Sequence, residues 1–196
     1  YRCALIGKWH LGASDVRRPN FVKWFAHQSG MGPYYDAPMV DEDRPCTVPG
    51  YLSDALADAA CTFVHDEVSR PEPFWLSLSF TAPHYPWIDC HPKAFTDLYR
   101  DCAFESCPDE PPHPWFTGGT AAVAKGHRER RDSLIGYFAA VSAMDAAIGR
   151  VLDAIDAAAG PPVVCGISIG ATVATLACLS RPGRVRRLIL SGGVAH

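Results

Sequence analysis

The chain has 196 residues, 48% of them hydrophobic and 20% charged, and a formal net charge of -3. These are the values of a globular domain with a sizeable core, which excludes wholesale disorder, and the charge balance offers no basic footprint for nucleic acid. Every apolar stretch is broken by Arg, Gly or Pro short of the ~18 residues a bilayer span needs, so none is expected to cross a membrane.

Residues 2–6 are mostly apolar and run into Gly7, which predicts a strand entering a loop. From Ala13 to Gly50 the sequence is rich in Pro, Gly, Asp and aromatics with no sustained period, and reads as a long irregular loop. Tyr51 to Val68 is a predicted helix, because Leu52, Leu56, Ala59, Ala60, Phe63 and Val64 recur at three- and four-residue spacing. Pro71 and Pro73 close it. In 73–84 (PFWLSLSFTAPH), Phe74, Leu76, Leu78 and Phe80 alternate with Ser77, Ser79 and Thr81, a period-two strand that Pro83 stops just before His84.

A proline-rich excursion over 85–120 follows, then a long predicted helix from His127 to Ala159 with Leu134, Tyr137, Phe138, Val141, Met144, Ile148, Val151, Leu152 and Ile155 on one stripe. Gly160-Pro161-Pro162 ends it. The chain finishes with a strand (Val163 to Ile167), a helix (about Ala171 to Ser180) and a strand (Val185 to Leu190). Alternating helix and strand predict an α/β layered fold with a mostly parallel sheet flanked by helices.

The eight cysteines are scattered and include no Cys-x-x-Cys pair, which supports neither a disulfide scaffold nor a zinc ribbon. Cys90, His91, Cys102 and Cys107 are too irregularly spaced for a zinc set. The five tryptophans read as core or loop anchors, and the run KGHRERRD (125–132) as a solvated helix start. The chain opens on Tyr1, has its first methionine at Met31 and shows no signal-peptide pattern. It reads as an internal piece of something longer, with its compartment undecided.

Five segments in order carry a family resemblance: GKWHLG (7–12), GYLSDALADAACTFV (50–64), PFWLSLSFTAPHYPW (73–87), HPKAFTDLYRD (91–101) and GYFAAVSAMDAAIGRVLDAID (136–156). Together they resemble the type I sulfatases, the arylsulfatase branch of the alkaline-phosphatase-like fold, over about residues 1–160. The resemblance implies hydrolysis of a small-molecule sulfate ester in the parent family. It makes Lys8 and His10 sulfate contacts that support the nucleophile, and His84 a sulfate contact or proton donor at the leaving oxygen. Cleavage of such an ester requires its shifting negative charge to be neutralised, which is what cationic side chains at strand ends supply.

The resemblance also implies groups that this sequence does not match. The family nucleophile is a formylglycine made from Cys or Ser in Cys-x-Pro/Ser-x-Arg, and neither Cys90-His-Pro-Lys-Ala nor Cys178-Leu-Ser-Arg-Pro fits. The parent family's Ca²⁺ takes ~6–8 oxygen ligands. The carboxylate pairs that hold it there would lie upstream of Tyr1 and after the 136–156 helix, where PPVVCGISIGATVATL stands instead. The expectation is therefore no bound metal and no turnover by this chain.

Gly166-Ile-Ser-Ile-Gly170 follows an apolar strand and precedes a small-residue helix, which resembles the nucleophile elbow of the α/β-hydrolases, with SRPGRVRRLILSGGVA (180–195) as the helix end and next strand. That resemblance covers about 163–196, makes Ser168 a nucleophile with the Ile169 amide as an oxyanion donor, and leaves its acid and base partners missing. The expected organisation is a sulfatase-like partial domain over 1–160 joined to a hydrolase-like strand-helix-strand over 161–196. Its first strand is expected to fill the sheet slot of the missing metal-binding strand. The alternatives are an esterase acting through Ser168 and a non-catalytic pseudoenzyme or mis-joined reading frame.

Overall fold

A computed structural model describes residues 1–107, 129–159, 163–167, 175, 178–179, 183 and 186–191. It divides into two compact units, residues 1–60 with 72–149 and residues 61–71 with 150–196.

The first unit is built on a five-stranded sheet. Its strands are β1 (Arg2–Gly7), β2 (Phe21–His27), β3 (Tyr35–Asp41), β4 (Arg44–Tyr51) and β5 (Phe74–Ser79), in the order β4-β3-β2-β1-β5. β1 pairs in parallel with both β2 and β5. The β2–β3 and β3–β4 pairs are antiparallel. The expected mostly parallel sheet is thus a mixed one. The segment expected to be an irregular loop, Ala13 to Gly50, in fact supplies three of its strands.

Proline hid those strands. β4 lies at the sheet edge, where Pro45 and Pro49 leave no interior ladder bond unmade. In β3, Pro38 contributes its carbonyl, which accepts the Gln28 N–H at 2.9 Å. Asp36 at φ 51 and a register shift between Tyr35 and Ala37 break the alternation that a period-two search needs.

The middle of the sheet is covered on both faces, since consecutive residues Ala4, Leu5 and Ile6 of β1 are all buried. One cluster gathers Leu5, Trp24, Ala26 and Val40, with Trp9 and Phe21 packed against it. Another gathers Tyr34, Tyr51, Ala82, Ala140 and Ala143. α1 (Leu52–Val68) follows β4 directly and buries Leu52, Leu56, Ala60, Phe63 and Val64 of the predicted stripe, together with Ala57, while Ala59 is half-buried. A short turn of helix, α2 (Lys93–Thr96), runs into a 3₁₀ turn at Asp97–Tyr99.

The long helix α3 (Arg130–Ala159) starts three residues later than expected. By length and composition it is apolar enough to cross a bilayer, a property the search for unbroken apolar runs missed. Its Ala139, Ala140, Ala143 and Ala147 are buried, however, and Ala140 and Ala143 belong to the core cluster of the first unit.

In the second unit β6 (Val163–Ile167) and β7 (Arg187–Ser191) pair in parallel, from Val163↔Arg187 to Ile167↔Ser191. They form a two-stranded sheet of their own. β6 therefore does not fill a slot in the five-stranded sheet. The parallel partner it finds in β7 pairs one edge of its backbone. The expected helix over 171–180 and the candidate nucleophile Ser168 lie largely and wholly outside the described residues, respectively.

Candidate functional site

The site is laid out by where neighbouring parallel strands end. β1 and β5 pair in register up to Gly7↔Ser79, and the Lys8 N–H donates to the Ser79 carbonyl at 2.7 Å. Parallel strands leave a sheet at the same edge, so the segments bearing Lys8 and His10 and the segment bearing His84 issue side by side.

The approach is unusually close. A Cβ on Gly7 would lie 2.0 Å from the Ser79 oxygen, and Gly7 sits at φ 110, where side chains are strained. Only glycine lets β1 hand the chain to Lys8 in this way.

Beyond Gly7, Trp9 is anchored on one face of the sheet. Its ring packs edge-on to Trp24 at 5.1 Å and to Phe21 at 6.3 Å between centroids. The Arg18 guanidinium lies 5.9 Å over the same ring and donates to the Ala13 carbonyl at 2.7 Å. This fixes the backbone between Lys8 and His10. Lys8 is half-buried, whereas His10 and His84 are exposed.

His84 is held through its backbone. Its N–H donates to Thr81 O at 3.0 Å, and its carbonyl accepts from the Tyr34 hydroxyl at 2.6 Å. Burial pushes the Tyr34 phenol well above its ordinary range, with Tyr51 and Cys90 acting in the same direction, so Tyr34 stays a donor at any physiological pH. The imidazole Nδ1 sits 2.8 Å from Tyr85 O, and a carbonyl only accepts. Nδ1 therefore carries the hydrogen, and among the described residues Nε2 makes no hydrogen bond. Among the described residues, no hydrogen bond links the side chains of Lys8, His10 and His84 to one another.

Behind His84 a buried aromatic knot supports the loop. Tyr34 stacks on Tyr51 at 5.8 Å, His91 meets Tyr34 edge-on at 4.5 Å, and the Tyr51 hydroxyl lies 2.9 Å from His91 Nδ1. Burial lowers the His91 pKa to about 4, against a hydrogen bond with the Pro86 backbone that acts the other way. The ring is neutral and structural.

Two positions shaping the site escaped the sequence reading. Tyr34 and His27 both fall in the stretch taken as loop, so no periodicity marked either as buried. The local signals were the Tyr34-Tyr35 doublet and a histidine directly ahead of Gln28-Ser29-Gly30.

For the parent family's Ca²⁺ the fit is poor: among the described residues no group of three or more His, Cys, Asp or Glu side chains is placed to hold a metal ion.

Comparison with known proteins gives a consistent result. The family model described as Sulfatase matches residues 1–164. The chain is 28% identical over 168 residues to an ulvan-active sulfatase of Formosa agariphila, covering 80% of this chain and 30% of that protein. It is 31% identical over 91 residues to an N-acetylglucosamine-6-O-sulfatase of Bacteroides thetaiotaomicron, covering 45% and 15%. Among solved structures, a putative sulfatase, yidJ, from Bacteroides fragilis matches with a TM-score of 0.62 at 21% identity, covering 80% of this chain and 38% of that one. The chain thus spans less than a third of the length of either curated relative.

Proposed function

Because this chain belongs to the sulfatase family, we propose that it presents Lys8, His10 and His84 to the sulfate group of a sulfate ester, binding that group without cleaving the ester by itself. The observation that carries this reading is the Gly7↔Ser79 pairing with its Lys8 N–H···O bond, which delivers both histidine-bearing segments from adjacent parallel strands.

The chemistry suits those residues. A sulfate monoester carries its charge on nonbridging oxygens, and the leaving oxygen gains charge as the S–O bond lengthens. An ammonium at Lys8 and a protonated or N–H-donating imidazole at His10 stabilise the first. His84, with its Nδ1–H occupied by the Tyr85 carbonyl, turns Nε2 toward the second, and gives it a proton only from the doubly protonated ring. The names of the two curated relatives support a sulfated carbohydrate as the class of ester. No Cys-x-Pro/Ser-x-Arg segment and no gathered carboxylates accompany these groups among the described residues, which is why binding without turnover is the reading.

The test is a titration of isotopically labelled chain with inorganic sulfate, at constant ionic strength against chloride. The side-chain resonances of Lys8, His10 and His84 should move together, and Lys8→Ala should weaken the response about tenfold. Release of 4-nitrophenol from its sulfate ester should stay at background. Sulfate responses that bypass all three residues would overturn the reading, and clear turnover would overturn its second half.

A second reading has one observation in its favour. The parallel pairing of β6 with β7 across residues 168–186 is the frame that an α/β-hydrolase strand-helix-strand requires. On that reading Ser168 is an esterase nucleophile. A fluorophosphonate probe labelling Ser168 would support it, and no labelling would remove it.

A further inference from the structure

His27 ends β2, the parallel neighbour of β1 on the side opposite β5, and its side chain is fully buried. Its Nδ1 receives two backbone donors at once, the Ser29 N–H at 3.2 Å and the Gly30 N–H at 3.1 Å. An imidazole nitrogen that accepts has no hydrogen of its own, so the ring is the Nε2–H tautomer. That Nε2 is buried with no hydrogen-bond partner among the described residues.

The turn so gathered meets Lys8. The methylenes of the Lys8 stem lie against Gly30, with Cε and Cγ 3.5 and 3.6 Å from the point where a Gly30 Cβ would stand. The rest of the turn is tied down as well: Gln28 N–H donates to Pro38 O at 2.9 Å, and Ser14 Oγ donates to Gln28 O at 2.7 Å. The Lys8 backbone is fixed from the β5 side, and its stem rests on the β2 side.

We propose that His27 is a positioning residue for Lys8: by drawing the Ser29 and Gly30 amides onto one imidazole nitrogen, it shapes the turn that holds the Lys8 stem and aims its ammonium group.

The arrangement works only with a neutral ring. Protonated, His27 would lose its acceptor at Nδ1, release both amides and set a cation beside the Lys8 ammonium. Burial first, and the Lys8 charge second, pull the His27 pKa below its ordinary value and keep the ring neutral. Among the described residues, Lys8 is the charged group that acts on it.

That the aimed ammonium meets sulfate rests on the reading of the preceding section, and the experiment separates the two. In labelled chain, imidazole nitrogen shifts report the His27 tautomer, and relaxation at Lys8 Cε reports the order of its stem. His27→Asn keeps an acceptor near Nδ1, and His27→Leu fills the space without one. The expected result is an Nε2–H ring and an ordered Lys8 in the native chain, both order and sulfate response kept within about threefold in H27N, and Lys8 loosened with its sulfate response weakened about tenfold in H27L.

A Lys8 stem as ordered in H27L as in the native chain overturns the proposal, whatever sulfate does. If H27L does not fold, the native chain decides: an Nδ1–H tautomer, or fast solvent exchange of the Ser29 and Gly30 amides, overturns it, and the opposite pair of results supports it. An ordered Lys8 that ignores sulfate removes the anion-site reading and leaves the clamp standing.

Discussion

Single residues in this chain matter through what they hold rather than through what they touch in solvent. Tyr34 is the clearest case. Its hydroxyl is the one side-chain donor to the His84 carbonyl among the described residues, and its ring is part of the knot with Tyr51 and His91. Tyr34→Phe keeps the ring and removes the bond. The expected loss of stability is about 1 kcal/mol, the usual net worth of such a hydrogen bond with its carbonyl partner left partly buried. Denaturant titration measures that loss. A larger effect is expected locally: amide exchange over Thr81 to Tyr85 should accelerate more than the global change allows, because the tie is specific to that loop. Uniform acceleration across the sheet would show that Tyr34 acts as core and nothing more. At this scale the sequence was half legible. Lys8, His10 and His84 stand in the segments that carry the family resemblance, which is how the sequence singles them out as candidates. Their supports, Tyr34 and His27, are buried by tertiary contact from a segment whose own pattern carries no period.

At the scale of elements, two glycines decide how closely backbone can meet backbone. In α3, a Cβ at Gly136 would stand 2.0 Å from the Trp87 carbonyl oxygen and 2.6 Å from its carbon. Helix propensity alone makes Gly136→Ala stabilising by about 1 kcal/mol. The contact reverses the sign, because the obstacle is backbone and cannot rotate away. A net loss of about 2 kcal/mol is expected, read as a lower melting temperature with retained helix content. A melting temperature raised by the substitution would mean that the Trp87 loop yields freely. Gly7→Ala adds a strained φ of 110 to a would-be 2.0 Å approach to Ser79, and should cost about 3–4 kcal/mol and disorder Lys8 with it. Elements with a clean period were read well from sequence: α1, α3 and β5 fall within a few residues of their expected bounds. β3 and β4 were not, since prolines and a left-handed Asp36 are local features of strands that only a sheet context makes affordable. The topology of a mixed sheet was equally out of reach. Whether β2 runs beside β1 or against it is settled by pairing across many residues, not by any stretch of chain.

For the first unit taken as a whole, the buried neutral histidines set an acid limit. His91 has its pKa lowered to about 4 from an ordinary 6.5, mainly by burial, and His27 is lowered for the same reason. A group whose folded pKa is depressed binds its proton in the unfolded chain first. Its contribution to stability is therefore complete above about pH 6.5, falls away as the pH drops from there toward 4, and changes no further below. At ~1.4 kcal/mol per unit the His91 shift sets a ceiling near 3 kcal/mol, and partial solvent access to the ring brings the expected loss to about 2 kcal/mol. Carboxylates add to the slope at its acid end, from about pH 5 downward. Asp97, held down by Lys93 and Arg100, loses its pairing as the pH falls through the carboxylate range, which overlaps the lower end of the histidine window. Denaturation midpoints measured from pH 7 to pH 4 should thus slope downward in the native chain. His91→Asn keeps an acceptor for the Tyr51 hydroxyl and takes the titrating group away, so it should flatten that slope by about 2 kcal/mol, whatever it does to stability at pH 7. A slope unchanged in H91N would place the acid sensitivity elsewhere. A slope that vanished entirely would mean that His27 takes up its proton as readily in the folded chain as in the unfolded one, against the lowering that burial and the Lys8 charge give it. The part of the residual slope in H91N that lies above about pH 5 is the contribution expected of His27.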